Sequence, residues 1–197
     1  METQNQINSI KDVVLMDSDG KVNLIDEISG KVTLFANVTG HCGNAEQYGI
    51  LEKVYQKYKS KGFEIVAVPT NDYCGPGVTY GKYENGIASA KDAEEYGRTE
   101  WNVTYRFSEL VVSRDARDSE EAKPEVHPLY RALNPEGEKA PMNGNFEKFL
   151  VDKNGAKRIR KANGVLLHWA HRDGYCESPE QEYENLCTDI ENLLKEE

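Results

Sequence analysis

Four cysteines carry most of the reactive chemistry that this chain offers: Cys42, Cys74, Cys176 and Cys187. They are too few and too scattered for a disulfide scaffold, and none stands in a C-x-x-C pair. Cys42 is set apart by what flanks it. Before it, Val32, Leu34, Phe35, Ala36 and Val38 form a mostly apolar run that suits a strand covered on both faces. After it, Tyr48, Leu51, Val54, Tyr55 and Tyr58 recur at helical spacing. The thiol therefore falls where a strand meets a helix N-terminus, and there unpaired backbone N–H groups and the positive end of the helix dipole favour thiolate over thiol. Thiolate is the nucleophilic form. The competing reading is a buried strand-end thiol that only packs, since free cysteine is often buried.

The other candidate residues are weaker. Cys74 lies in Thr70-Asn71-Asp72-Tyr73-Cys74-Gly75-Pro76-Gly77, a run dense in turn formers that starts where a strand ends. In α/β sheets such ends carry ligand sites, so this loop is expected beside Cys42. Cys187 lies on an apolar helical face and reads as core packing. His168, His171 and Cys176 are residue types that suit zinc or copper, yet their spacing is no recognised zinc pattern and a surface loop with ordinary histidines explains them. The acidic Asp17-Ser18-Asp19-Gly20 lacks the twelve-residue ligand pattern of a calcium loop and reads as a plain turn. No metal and no cofactor are expected.

The elements that must position these residues follow from patterning. Val13, Leu15, Val22, Leu24 and Ile25 flank the Asp-Gly turn and predict an N-terminal β-hairpin. Gly62 ends the helix after Cys42, and Phe63 to Val68 form a second apolar strand, which completes a right-handed βαβ crossover. Residues 84 to 100 read as a helix with Ala88, Ala93 and Tyr96 inward, and the charged stretch from Ser113 to Glu125 as a surface loop. Phe146 to Val151 and Ala156 to Arg160 flank an Asn-Gly turn and predict a second hairpin. Ser178-Pro179-Glu180-Gln181 is a capping box that opens a last helix, with Tyr183, Leu186, Cys187, Ile190, Leu193 and Leu194 as its apolar stripe. The sum is an α/β protein with a mixed central sheet and helices on both faces.

A chain of 197 residues fits one domain, expected to span residues 1–197, because no repeat or linker divides it. The mean hydropathy of −0.71 and 29% charged residues place it with globular proteins, and no apolar run approaches a membrane span. The start, METQNQINSIKDVV, has neither a basic nor an apolar leader segment, so a cytoplasmic location is the default expectation. A net charge of −10 argues against nucleic acid or an anionic membrane as partner.

At Asn37-Val38-Thr39-Gly40-His41-Cys42-Gly43 the chain also resembles the active-site strand and turn of glutathione peroxidases, where cysteine or selenocysteine stands at the position of Cys42. The similarity continues through Gly62-Phe63-Glu64-Ile65, Pro69-Thr70-Asn71-Asp72-Tyr73, Asn102-Val103-Thr104, His127-Pro128-Leu129-Tyr130 and Asn145-Phe146-Glu147-Lys148-Phe149-Leu150-Val151-Asp152, in matching order and approximate spacing. The resemblance implies a thioredoxin fold and thiol-dependent reduction of hydrogen peroxide or organic hydroperoxides through a Cys42 sulfenic acid. It implies glutathione or a thioredoxin-type protein as reductant. Relative to the family, residues 161–178 look like an inserted loop.

The resemblance also implies site residues, with departures. The family surrounds its catalytic residue with a glutamine, a tryptophan and an asparagine. Here the glutamine position holds Asp72, the tryptophan position holds Gly144, and only Asn145 matches. Cys42, Asn145 and Asp72 are therefore the expected catalytic set. An ionised Asp72 accepts hydrogen bonds and donates none, so an inward-facing carboxylate disfavours a thiolate. A protonated, cation-paired or outward-turned Asp72 stays open. The second cysteine of thioredoxin-dependent members corresponds approximately to Gly97, which leaves Cys74 as the expected resolving thiol or an unreactive turn residue. Tetrameric members carry a longer segment before the Asn-Phe-x-Lys-Phe motif, so the path from Asn134 to Gly144 favours monomer or dimer. Two alternatives to peroxidase turnover are a redox sensor or binding module on the same fold, and a thiol–disulfide exchange protein. Ala45, standing where a C-x-x-C partner belongs, disfavours the last.

Overall fold

The computed structural model describes residues 5–6, 9–40, 42–73, 87–113, 125–136, 144–161 and 178–196. Its centre is two parallel strands, β2 (Val32–Val38) and β3 (Phe63–Pro69), paired from Val32↔Phe63 to Val38↔Pro69. Every residue of both is buried. That is why the sequence there is nearly continuous in apolar residues instead of alternating. The crossover between them is helix α2 (Gln47–Tyr58), followed by a short 3-10 turn, Lys59–Lys61, and Gly62 in the left-handed region at φ 86°.

The second hairpin is β5 (Lys148–Val151) and β6 (Lys157–Lys161), and β5 pairs antiparallel with β2. Its turn places Gly155 at φ 68°, and the Asp152 carboxylate accepts from Ala156 and Lys157 N–H. Two short strands close the edges: β1 (Asn5–Gln6) on β6 and β4 (Arg106–Phe107) on β3. The order of the mixed, six-stranded sheet is β1-β6-β5-β2-β3-β4.

Alternation along the strands sorts two cores. Val32, Leu34, Ala36, Val38, Ile65 and Ala67 face α2, α3 (Ala90–Trp101) and α5 (Pro179–Lys195). Phe35, Val66, Val68, Phe149 and Val151 face the short helices α1 (Leu24–Glu27) and α4 (Pro128–Leu133). Cys187 packs into the first core, as its position on the apolar stripe predicts. Ser178 caps α5 by accepting from Gln181 N–H at 3.1 Å. Among the described residues no helix is long and apolar enough to cross a membrane.

Two expectations are corrected. The N-terminal β-hairpin keeps its turn, with Asp17 N–H donating to Val22 O, but its ladder is one bridge, Met16↔Asn23. Leu24 and Ile25 wind into α1 instead, because the Asn23 side chain accepts from Ile25 N–H and caps a helix there. The helix expected over 84–100 starts at Ala90: Ser89 is its N-cap, accepting from Asp92 N–H, and Ala88 lies before it and is exposed. Residues 84–86, most of the charged loop and nearly all of the stretch expected as an insertion fall outside the described residues, as do His168, His171 and Cys176.

Candidate active site

Cys42 follows the C-terminal end of β2 and precedes α2 by a run of tight turns. Ala45 N–H donates to Cys42 O, Gln47 N–H to Asn44 O, and Tyr48 N–H to Ala45 O. These turns hold backbone N–H groups toward the thiol side: Asn44 N–H donates to Cys42 Sγ at 3.4 Å. The Cys42 side chain is half-buried against the α2 face of the sheet. Below it Tyr48 is fully buried, donates its hydroxyl to Thr39 O at 2.9 Å, and meets Phe146 edge-on at 5.0 Å. Burial, with Tyr96 and Cys42 nearby, pushes the Tyr48 phenol well above its usual range, so it stays a donor.

Asn145 reaches the same sulfur from a segment 103 residues away, its Nδ2 3.8 Å from Cys42 Sγ. The backbone around it is anchored to β2 by Asn37. Asn37 Nδ2 donates to Gly144 O at 2.9 Å, Phe146 N–H to Asn37 O at 2.7 Å, and Asn37 N–H to Glu147 O at 3.2 Å. Phe146 sits at φ 65°, a left-handed conformation that costs an aromatic residue about 1–3 kcal/mol and persists only where surroundings enforce it. Here the Asn37 bonds and the buried Lys148 ammonium, 2.7 Å from Phe146 O, enforce it. The strain turns the chain so that Asn145 projects at the thiol.

The other expected residues lie differently. Asp72 Oδ2 accepts from both the N–H and the hydroxyl of Ser113, the latter at 2.7 Å, beside the core covered by α4. It is one cause of the raised phenol of Tyr130 there, after burial and Tyr73. Cys74 lies outside the described residues, but the base of its loop is fixed: Asn71 Nδ2 donates to Ile87 O at 2.9 Å, and Ile87 N–H donates to Asn71 Oδ1 at 3.0 Å. Gly97 is buried inside α3, and a Cβ there would stand 2.6 Å from Phe107 Cζ. Trp101 stacks on Tyr48 with ring centroids 6.4 Å apart. Among the described residues no group of three His, Cys, Asp or Glu side chains is arranged to hold a metal.

Residues whose roles the sequence reading passed over are Asn37, Gln47 and Lys148. Two carried a signal, since Asn37 and Lys148 are polar residues inside apolar strand runs, and a buried polar group has to find partners.

Two nitrogen donors thus converge on one half-buried sulfur in the turns that precede α2. That arrangement can favour a thiolate over a thiol.

The glutathione peroxidase family model matches residues 10–119. Among curated relatives, glutathione peroxidase-like peroxiredoxin 2 of Saccharomyces cerevisiae is 34% identical over 154 residues, covering 75% of this chain and 83% of the yeast protein. Thioredoxin/glutathione peroxidase BtuE of Escherichia coli is 29% identical over 172 residues, covering 75% of this chain and 84% of its own. Among solved structures, that of T. cruzi GPX1 superposes with a TM-score of 0.61 at 22% identity, covering 95% of this chain and 97% of the other.

Proposed function

This chain belongs to the glutathione peroxidase family and is a thiol-dependent peroxidase, and from that premise we propose that Cys42 is its peroxide-reactive residue and Asn145 its supporting donor. The Cys42 thiolate attacks one peroxide oxygen. The S–O bond forms as the O–O bond breaks, the departing alkoxide or hydroxide takes up a proton, and the sulfur is left as a sulfenic acid. A thiol then attacks that sulfur and releases water, giving a disulfide that a second thiol reduces. The observation that carries the assignment is the pair of donors on Cys42 Sγ, Asn44 N–H at 3.4 Å and Asn145 Nδ2 at 3.8 Å. Both stabilise the anionic form of the sulfur and so raise the share of Cys42 present as thiolate, the form that attacks.

Asp72 acts as a loop residue in this reading, through its bonds to Ser113. The resolving thiol comes from Cys74 or from an external reductant, glutathione or a thioredoxin-type protein. A cysteine at Gly97 is disfavoured by the space that Phe107 occupies there. The name of the Escherichia coli relative carries both reductants, and the path from Asn134 to Gly144 in this chain, shorter than the segment of tetrameric members, supports monomer or dimer.

The test is intact-mass analysis with peptide mapping after mixing reduced protein with about one equivalent of hydroperoxide. Oxidation confined to Cys42, or a Cys42–Cys74 disulfide, is the expected product, and Cys42→Ser abolishes peroxide consumption. Unchanged turnover in Cys42→Ser overturns the assignment.

A further inference from the structure

Lys148 is the one lysine at 0% exposure among the described residues, at the first position of β5 between Glu147 and Phe149. A lysine ammonium removed from water needs partners on all sides. Its Nζ is 2.6 Å from Glu182 Oε1 on α5 and 2.7 Å from Phe146 O, and it donates to Gln47 Oε1 in the first turn of α2. Those last two partners belong to the two arms of the thiol site. Gln47 N–H donates to Asn44 O, and Asn44 N–H donates to Cys42 Sγ. Phe146, in its left-handed conformation, directly follows Asn145, whose Nδ2 reaches the same sulfur.

We propose that Lys148 is a positioning residue for Cys42: its ammonium, held by Glu182, fixes the Phe146 carbonyl and the Gln47 amide together, and so holds both sulfur donors in place. The proposal rests on Cys42 being the reactive thiol. A merely stabilising role explains the arrangement less well, because a buried ion pair is a poor source of stability compared with apolar residues of similar volume. What the ion pair supplies is direction. Three acceptors from three different elements point at one nitrogen, and an apolar side chain would fill the space without fixing the Phe146 carbonyl. Glu182 makes the start of α5 part of the same device, although it lies 34 residues beyond Lys148 in the sequence. Among the described residues one carboxylate oxygen of Glu182 finds no hydrogen-bond partner, which marks its placement as costly for the fold alone.

The experiment uses the full chain and reads Cys42 in two ways: alkylation by iodoacetamide at fixed pH, followed by peptide mapping, and oxidation by hydrogen peroxide. Lys148→Met combined with Glu182→Leu keeps volume and removes both charges together, so no buried charge is orphaned. This paired variant is expected to react about tenfold more slowly in both assays, since the donors loosen while the core remains. In an Asn145→Ala background the same pair is expected to cost less than about threefold, because residues that act through one another are not additive. Lys148→Arg, which keeps the charge, is expected to recover part of the loss. A folded paired variant whose alkylation stays within about twofold of the parent overturns the proposal, and so does an equal loss with and without Asn145. Should the paired variant fail to fold, Glu182→Gln gives the same decision: about threefold slower alkylation supports positioning and an unchanged rate refutes it. Alkylation needs no peroxide. A parent protein that alkylates normally but ignores peroxide therefore refutes the peroxidase reading of Cys42 without touching the role of Lys148.

Discussion

Placing a side chain at Gly97 tests whether the position that, by resemblance, corresponds approximately to the second cysteine of thioredoxin-dependent members has been closed in this chain. A Cβ at Gly97 would lie 2.6 Å from Phe107 Cζ, 3.1 Å from Val103 Cγ2 and 3.4 Å from Phe107 Cε2. Carbon atoms in contact prefer about 3.5–4.0 Å, so the ring has to retreat by about 1 Å. It has nowhere to go. Phe107 stacks on Tyr48 at 6.4 Å and on Tyr105 at 5.9 Å, both fully buried, with the Arg98 guanidinium 5.3 Å above its ring. Overpacking of this kind costs about 1–3 kcal/mol. Gly97→Ala regains about 1 kcal/mol of helix propensity, which leaves a net loss of up to about 2 kcal/mol. For a chain of this size each kcal/mol lowers the melting temperature by about 2–4 °C, so Gly97→Ala should melt up to about 8 °C lower. Gly97→Cys adds a sulfur and gains less propensity, so it should fall further. The assay is thermal unfolding by circular dichroism of Gly97→Ala, Phe107→Leu and the double variant. In the Phe107→Leu background the clash is relieved, and Gly97→Ala should become neutral or stabilising by up to about 1 kcal/mol. The same effect of Gly97→Ala in both backgrounds would refute the steric argument.

Three further outcomes are expected. Asn145→Ala should slow Cys42 alkylation about fivefold to tenfold, since a long donor contact is worth less than a full oxyanion donor, and should change the melting temperature little, because the lost Oδ1 is buried without a partner. Asp72→Ala orphans the Ser113 N–H and hydroxyl and should cost about 1–3 kcal/mol in unfolding experiments, with Asp72→Asn, which keeps one acceptor, milder. His127 caps α4 through Nδ1, which accepts from Leu129 N–H at 3.1 Å, and burial lowers its pKa below the usual value of 6.5 while Glu109 partly opposes that. The unfolded chain therefore binds the proton more readily, and this contribution to stability is complete above the unfolded pKa and lost as pH falls from there toward the folded value. Melting temperatures measured from neutral to mildly acidic pH should drop more for the parent than for His127→Asn, which caps without titrating. Equal slopes would exclude His127.

How much of the fold could be read in advance depended on how local its causes are. The β2-α2-β3 unit was legible because strands buried on both faces need apolar residues at every position, and an amphipathic helix with Gly62 behind it leaves one plausible reading. The Asn154-Gly155 turn and the Ser178 cap were legible because the residue type is itself the mechanism. The N-terminal ladder was overestimated because Leu24 and Ile25 suit either a strand or a helix, and the Asn23 side chain decides between them. The edge strands β1 and β4 are two residues each, too short for any period to show.

The site divides along the same line. Cys42 and the Asn44 N–H belong to one turn, and the helix behind them was enough to expect backbone donors at the thiol. Asn145 was expected only through resemblance, since a lone asparagine says nothing about a sulfur 103 residues away. What aims it is less visible still, because no glycine announces the left-handed turn at Phe146 and the partners that hold that turn, Asn37 and Lys148, are scattered over β2 and β5. Asp72 shows the opposite case: its position in the sequence suggested a replaced donor, while its carboxylate is bound to Ser113 beside the α4 core. A carboxylate can accept two hydrogen bonds from a neighbouring loop more cheaply than it can face a thiolate. Asp72 Oδ2 is thus engaged by Ser113, whereas the nitrogens found close to the sulfur are Asn44 N, at 3.4 Å, and Asn145 Nδ2, at 3.8 Å.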